Sequence, residues 1–171
     1  MDRLIVYRGV VRIVLLGYLT GGEFMANCYF EFLINNEGYF LKLREFFYKI
    51  KEEKEMDILD SGDSKWLDYF EEEVLQRFWW PTEEELQQYL AIYEQTSIDR
   101  RLTEPSLQHP WDFESMVDAF ACGEYELISC EKISDNMARI EYYPDSWPYG
   151  GSDSFKALIE YNGFNITAQS V

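Results

Sequence analysis

The stretch that decides the fold is residues 28–55, CYFEFLINNEGYFLKLREFFYKIKEEKE. Its first part, Cys28 to Ile34, is rich in aromatic and branched residues and precedes Asn35-Asn36-Glu37-Gly38, which predicts a strand followed by a turn. From residue 39 the apolar positions recur every three or four residues, which predicts an amphipathic helix as far as about Glu55. The face that this helix buries is predicted to contain Phe40, Leu43, Phe46, Phe47 and Ile50.

The C-terminal third carries a second set of strand and helix signals. Two alternating stretches, 125–133 and 137–143, flank the turn sequence Ser134-Asp135-Asn136 and predict a β-hairpin. A short helix that ends at Gly123 is predicted before the hairpin, with Phe113, Met116, Val117 and Phe120 as its apolar face. Another helix is predicted after the hairpin, capped by Ser152 and ending at Asn162-Gly163, and residues 164–168 form the final strand.

The region between these two parts is predicted to be helical. One helix is predicted from the spacing of Trp66, Leu67, Phe70, Val74 and Phe78, and it ends before Pro81. The capping box Thr82-x-x-Glu85 opens the next helix. The apolar stripe of that helix is predicted to consist of Leu86, Tyr89, Leu90 and Tyr93.

Together these signals predict an α+β fold, with a mostly antiparallel sheet packed under about five helices. The sheet is predicted to contain a strand near 28–34, the hairpin at 125–143 and the final strand at 164–168. Residues 25–171 are expected to form one acidic domain. Residues 1–24 differ in charge, with three arginines against Asp2 and Glu23. They are expected either to be an appendage, with Met25 as the natural start, or to add strands at the edge of the sheet.

The charge of the chain limits the partners that it could bind. It has 32 acidic and 15 basic residues, for a formal net charge of −17 at pH 7. A field of this sign disfavours nucleic-acid phosphates and anionic membranes and favours a basic protein, so neither nucleic acid nor membrane is expected as a partner. The apolar stretch from Leu4 to Leu19 is interrupted by Arg8, Gly9 and Arg12, and its longest clean part is too short to span a bilayer.

The cysteines and the single histidine offer little chemistry. Cys28, Cys122 and Cys130 are an odd number without C-x-x-C spacing, which predicts a reducing compartment, the cytoplasm. Cys122 and Cys130 are expected to be small buried hydrophobic residues. His109 alone does not supply a histidine-rich metal site, so no metal and no cofactor are predicted, and His109 is expected to be a surface or satisfied residue.

Two features are candidate binding sites, and no catalytic residue is predicted. The first is an acidic face, because residues 52–104 hold 16 acidic against 5 basic residues. Its densest points are Glu71, Glu72, Glu73, Glu83, Glu84 and Glu85. The second is an aromatic loop, 143–153, with Tyr143, Asp145, Trp147, Tyr149, Gly150, Gly151 and Asp153 as candidate binding residues. The loop could equally be architecture, in which Trp147 and Tyr149 cover the end of the sheet.

These features favour a non-enzymatic interaction module that binds a basic partner through its acidic face. Small acidic α+β immunity and inhibitor proteins are analogous in composition. Two alternatives remain open. The first is a small-molecule-binding or hydrolytic domain that uses the aromatic loop and nearby carboxylates. The second is an acidic mimic of nucleic acid that blocks a DNA-binding protein.

Overall fold

The computed structural model describes residues 4–7, 10–13, 27–101, 103–145 and 152–170. These residues form six α-helices, two 3₁₀ helices and six strands. The strands are β1 (Leu4–Tyr7), β2 (Val10–Ile13), β3 (Cys28–Leu33), β4 (Tyr125–Ser134), β5 (Met137–Pro144) and β6 (Asn165–Ser170). The α-helices are α1 (Glu37–Glu55), α2 (Glu72–Leu75), α3 (Glu83–Gln95), α4 (Ile98–Arg101), α5 (Phe113–Cys122) and α6 (Asp153–Tyr161). The 3₁₀ helices are Ser64–Tyr69 and Pro105–Leu107.

The α+β fold predicted from the sequence is confirmed. Strands β4, β5, β3 and β6 form a four-stranded sheet in that order, and each neighbouring pair is antiparallel. Side chains alternate between the two faces, so β3 buries Cys28, Phe30 and Phe32 while β5 buries Ala138, Ile140 and Tyr142. Strands β1 and β2 pair with each other as a separate antiparallel sheet. Whether residues 1–24 are an appendage stays a prediction.

Helix α1 covers the buried face of the sheet and the outer edge of β4. Its predicted apolar face is confirmed, because Phe40, Leu43, Phe46, Phe47 and Ile50 are all buried. Arg44 donates to the carbonyl oxygen of Cys130 (3.2 Å), and Lys51 donates to that of Ile128 (2.9 Å). Since β4 lies at the edge of the sheet, these bonds satisfy backbone groups that no strand pairs and that would otherwise be open to strand addition.

Helices α5 and α6 close the core with aromatic rings. Phe155 of α6 is fully buried, and its ring centroid lies 4.4 Å from that of Tyr142 and 6.0 Å from that of Phe30. It also lies 5.0 Å from the ring centroids of Phe120 and Tyr125. One side chain thus joins α6 to α5 and to three strands, by burial and by ring packing.

The single helix predicted from Trp66 to Phe78 is wrong in its backbone, although four of its five apolar residues are buried and Leu67 is half-buried. The chain forms a 3₁₀ helix, passes through extended Phe70 and Glu71, and then makes the short α2. Phe70 packs on Phe46 of α1 at 4.9 Å, whereas Phe78 packs on Tyr161 of α6 at 4.8 Å. Both rings also contact Phe113 of α5, at 5.4 Å from Phe70 and 5.2 Å from Phe78. Burial of these rings among three helices outweighs the weak helix propensity of aromatic residues.

Two further local predictions are corrected. Cys122 is exposed, not buried, because it lies nine residues after Phe113, about half a turn away from the buried face of α5. Its thiol donates to the carboxylate of Asp118 at 3.6 Å. Ser152 precedes α6 as predicted, but its backbone is helical (φ −73°, ψ −10°) and its side chain makes no capping hydrogen bond. An N-cap side chain reaches the backbone N–H groups from an extended conformation, which Ser152 does not adopt.

Gly123 is required by close packing rather than by its backbone angles. A Cβ at this position would lie 2.3 Å from the Tyr125 ring and 2.6 Å from the Ala119 carbonyl oxygen. The φ of Gly123 is −60°, which other residues adopt easily. The restriction is therefore steric.

We expect Gly123→Ala to lower the free energy of unfolding by about 1–3 kcal/mol, as overpacking does. The matched control is Gly38→Ala in the first turn of α1, where the added Cβ would meet only the Asn36 side chain at 3.4 Å. That variant should be neutral or more stable by up to about 1 kcal/mol. Denaturant unfolding measures both, and equal stability of the two variants would contradict the steric account.

Candidate functional site

The six glutamates of the predicted acidic face lie at the starts of α2 and α3. Glu71 precedes α2, Glu72 and Glu73 form its first turn, and Glu83, Glu84 and Glu85 form the first turn of α3. Carboxylates in a first turn are stabilised by the helix dipole. This position explains part of the acidic clustering without any partner.

Two of the six glutamates have structural partners. Glu71 forms an ion pair with Lys42 of α1 at 2.8 Å. Glu85 completes the predicted capping box with Thr82, whose backbone N–H and hydroxyl lower the pKa of the Glu85 carboxyl. These two carboxylates are therefore less suited to binding a partner.

The other four carboxylates face solvent. Glu72, Glu73, Glu83 and Glu84 are exposed, and none of them forms an ion pair with a described residue. Glu72 accepts a hydrogen bond from Gln76 (3.5 Å), the residue that follows α2, and Glu83 accepts one from Gln87 of α3 (2.9 Å). These four glutamates, which we call the acidic turns, are available to a basic partner.

Helix α3 has the predicted apolar stripe, but the stripe is not part of the core. No residue of α3 is buried, and Leu86, Leu90 and Tyr93 are 37%, 43% and 39% exposed. Nearby, Trp80 is 52% and Ile98 is 80% exposed. Sequence periodicity identified the stripe, but periodicity does not tell a stripe that packs on the core from one that faces solvent.

A cluster of aromatic rings holds α3 to the rest of the protein. The His109 ring stacks on Trp79, with 4.5 Å between centroids and 9° between planes. Tyr89 of α3 contacts both rings, at 5.5 Å from Trp79 and 5.9 Å from His109. Nε2 of His109 lies 3.2 Å from the carbonyl oxygen of Ser106. His109 is exposed and packs against rings, which fits the surface role predicted for it.

The structure describes only part of the aromatic loop. Tyr143 lies near the end of β5, and the backbone N–H of Asp145 donates to the Glu124 carbonyl at 2.8 Å. Asp153 begins α6 and pairs with Lys156 at 3.2 Å. Trp147, Tyr149, Gly150 and Gly151 lie outside the described residues. The loop stays a prediction, both as a site and as architecture.

Glu141, the strand carboxylate closest in sequence to the loop, is engaged elsewhere. It accepts hydrogen bonds from Ser129 (3.0 Å) and Arg139 (3.3 Å). Arg139 also pairs with Glu31, and its guanidinium lies 4.8 Å from the centre of the Tyr29 ring. These residues form a charge network on the face of the sheet opposite the core.

The described carboxyl groups with a shifted pKa all shift downward. Among carboxyl groups with a shifted pKa, those of Asp63, Glu85 and Glu131 are lowered, by hydrogen bonds from Lys65, Thr82 and Arg44 respectively. A general acid would need the opposite shift.

A shallow depression of about 610 Å³ on α1 is lined by cations and carboxylates together, including Arg44, Lys49, Glu45 and Glu52.

Metal and membrane sites can be assessed for the described residues alone. Within those residues, no group of three or more His, Cys, Asp or Glu side chains could hold a metal ion. In the same ranges, no helix combines the length and apolar character needed to cross a bilayer.

Lys54 differs from the other described cations with a shifted pKa, because its pKa is lowered, and the sequence did not single it out. Its ammonium group donates to the carbonyl oxygens of Phe120 (2.6 Å) and Gly123 (2.7 Å), at the C-terminal end of α5, and lies 4.6 Å from the centre of the Tyr125 ring. Burial lowers the pKa of Lys54 to about 8, while the nearby Cys122 thiol and Asp145 carboxylate act in the opposite direction. Lys54 therefore links the last turn of α1 to the end of α5.

The Lys54 environment predicts a pH dependence of stability. In the folded protein its pKa is about 8, below its ordinary value of 10.5, so between these pH values the unfolded chain holds a proton that the folded chain has released. The free energy of unfolding of the wild type, minus that of Lys54→Met, should therefore rise from about pH 7 to about pH 10. Lys156→Met, at an exposed pair, serves as the control. A difference that stays constant or falls over this range would contradict the account.

Comparisons with known protein families, with curated proteins and with solved structures give no match. Function is therefore inferred from the contacts, exposure and charge of the described residues.

Proposed function

We propose that this protein is a non-enzymatic interaction module that binds a basic protein through the acidic turns, Glu72, Glu73, Glu83 and Glu84. The observation that carries the proposal is that these four carboxylates are exposed and form no ion pair with a described residue. A partner would therefore meet carboxylates that no described cation of the protein pairs.

Several cations elsewhere in the described residues are engaged by other carboxylates. Within the described ranges, five ion pairs join distant parts of the chain: Lys42–Glu71, Arg44–Glu131, Lys65–Glu53, Lys132–Glu37 and Arg139–Glu31. With only 15 basic residues against 32 acidic ones, the chain has a large excess of negative charge. The acidic turns are one place where this excess faces solvent.

Such a surface acts mainly on the rate of association and on the choice of partner. Complementary charge steers a basic protein toward the surface before contact, and its effect weakens as salt screens the field. Exposed ion pairs add little affinity on their own. A role in inhibiting or neutralising a basic protein, by analogy with acidic immunity and inhibitor proteins, is consistent with these properties.

The proposal predicts that the acidic turns control association. In a variant with Glu72, Glu73, Glu83 and Glu84 changed to Gln, the free energy of unfolding should change little, by less than about 0.5 kcal/mol per site. The association rate constant with a basic partner, captured by the wild type from a native lysate, should fall at least about fivefold at low salt. Stopped-flow mixing at two salt concentrations measures this rate.

The control removes the same number of charges from other surfaces. Glu45, Glu114, Glu126 and Glu160 are exposed and lie on α1, α5, β4 and α6. Their change to Gln should slow association much less. The proposal fails if the two variants associate equally fast, or if association is independent of salt. Displacement of the captured partner by duplex DNA would identify the protein as an acidic mimic of nucleic acid.

A further inference from the structure

The exposed side of α3 carries apolar residues at the spacing with which one helix packs against another. Leu86, Leu90 and Tyr93 follow one another at spacings of four and three residues, which places them within about 60° of the helix circumference. Between 37% and 43% of each residue is exposed. Anchors at these spacings are those that amphipathic helices use when they pack against a second apolar surface.

The orientation of this stripe is fixed by contacts on a neighbouring side of the helix. Tyr89 and Ile92 are half-buried, and Tyr89 packs against Trp79 and His109. The backbone N–H of Trp79 itself donates a hydrogen bond to the carbonyl oxygen of Trp111 at 2.9 Å. Rolling α3 to bury Leu90 would break these ring contacts, so the stripe is held facing outward.

Charge is distributed unequally along the two edges of the stripe. By helical geometry, Glu83 and Glu94 lie on the side of Leu90, within about 40° of it. On the other side, the guanidinium of Arg101 lies 3.9 Å from the centre of the Tyr93 ring and donates to the Thr96 carbonyl. The edge beside Leu90 is therefore acidic, and the edge beside Tyr93 is basic.

This charge distribution disfavours a second copy of the chain as the occupant. The net charge of −17 makes two copies repel each other, whereas a cationic partner is attracted. A cation beside Leu90 would meet Glu83 and Glu94, which form no ion pair with a described residue. The apolar stripe and its acidic edge together call for a segment that is both apolar and basic.

We propose that the partner docks a basic amphipathic helix on α3, with its apolar face on Leu86, Leu90 and Tyr93 and with Lys or Arg residues beside Glu83 and Glu94. This inference rests on the proposed function and specifies the partner's recognition element. At 13 residues, α3 is about 20 Å long, so the partner helix needs about four turns to cover it. Charge would bring the partner to the surface, and the apolar contact would hold it there.

The test uses the full-length protein and two synthetic probes. One is an 18-residue peptide of Leu and Lys, spaced to form a helix with one apolar and one basic face, as about 3.6 residues per turn requires. The other has the same lysines, with each Leu replaced by Gln. We expect the first peptide to bind the wild type at least about tenfold more tightly than the second, measured by fluorescence anisotropy.

Two matched variants locate the contact. Leu86→Ser with Leu90→Ser should weaken binding of the Leu–Lys peptide by about tenfold. The control is Leu41→Ser with Ile133→Ser, at residues 49% and 46% exposed on α1 and β4, and it should change binding less than about twofold. Circular dichroism and thermal melting verify that both variants are folded.

The outcomes separate the inference from the proposed function. If the Leu–Lys peptide binds the stripe variant as tightly as the wild type, or no better than the Lys–Gln peptide, docking on α3 is overturned while charge-driven binding stands. If the Gln variant of the acidic turns binds the Leu–Lys peptide as tightly as the wild type does, the proposed function fails, together with the contact of cations with Glu83, while the apolar contact with α3 stands. If neither peptide binds the wild type, both are overturned.

Discussion

Burial of the Phe155 ring between the sheet and α5 is the interaction on which the rest of the architecture depends. The four-stranded sheet has one apolar face, formed by alternate residues of its strands, and that face must be covered. Phe155 contacts β3 through Phe30, β5 through Tyr142, β4 through Tyr125 and α5 through Phe120. Helix α1 covers the remainder and uses Arg44 and Lys51 to satisfy the free edge of β4. These contacts fix α1, α5 and α6 relative to the sheet.

This core includes no residue of α3. The helix is well capped and amphipathic, but it buries none of its residues, and its ring contacts with Trp79 and His109 hold it at the surface. Exposing apolar side chains to water is unfavourable, and these side chains do not add to the core. An exposed apolar patch of this kind is typical of surfaces that bind another molecule. Glu83 and Glu84 lie in the first turn of the same helix, and the proposed basic partner would match their charge. The proposed binding surface therefore includes this helix.

The parts of the fold that the sequence predicted correctly depend on local patterns. The period change at residue 39, the Thr82 capping box and the hairpin turn at Ser134-Asp135-Asn136 all act within a few residues. The errors arose where distant contacts decide the outcome. Phe70 packs on Phe46 of α1 and Phe78 packs on Tyr161 of α6, and both rings contact Phe113 of α5. Contacts with three distant helices are not visible in the local spacing that predicted one straight helix.

In the candidate site, too, the local sequence predicted the residues, whereas contacts between distant residues decide how exposed they are. The sequence located the glutamates and the α3 stripe, but their exposure could not be predicted from it. Whether Glu71 is paired depends on Lys42 of α1, and whether Leu90 is covered depends on how the whole domain packs. The contact of Lys54 with the end of α5 joins residues that are far apart in the chain. Periodicity identifies an apolar face but not what covers it.

The claim that α3 stands outside the core can be tested most directly by the free energy of unfolding. Leu86→Ala combined with Leu90→Ala should lower it by less than about 1.5 kcal/mol, since these residues are 37% and 43% exposed and neither is buried in the core. Phe155→Ala, at a fully buried ring, should lower it by about 3–5 kcal/mol in the same experiment. A loss of about 3 kcal/mol or more in the α3 double variant would show that the stripe is packed as core, and would contradict the account of α3 as a docking surface.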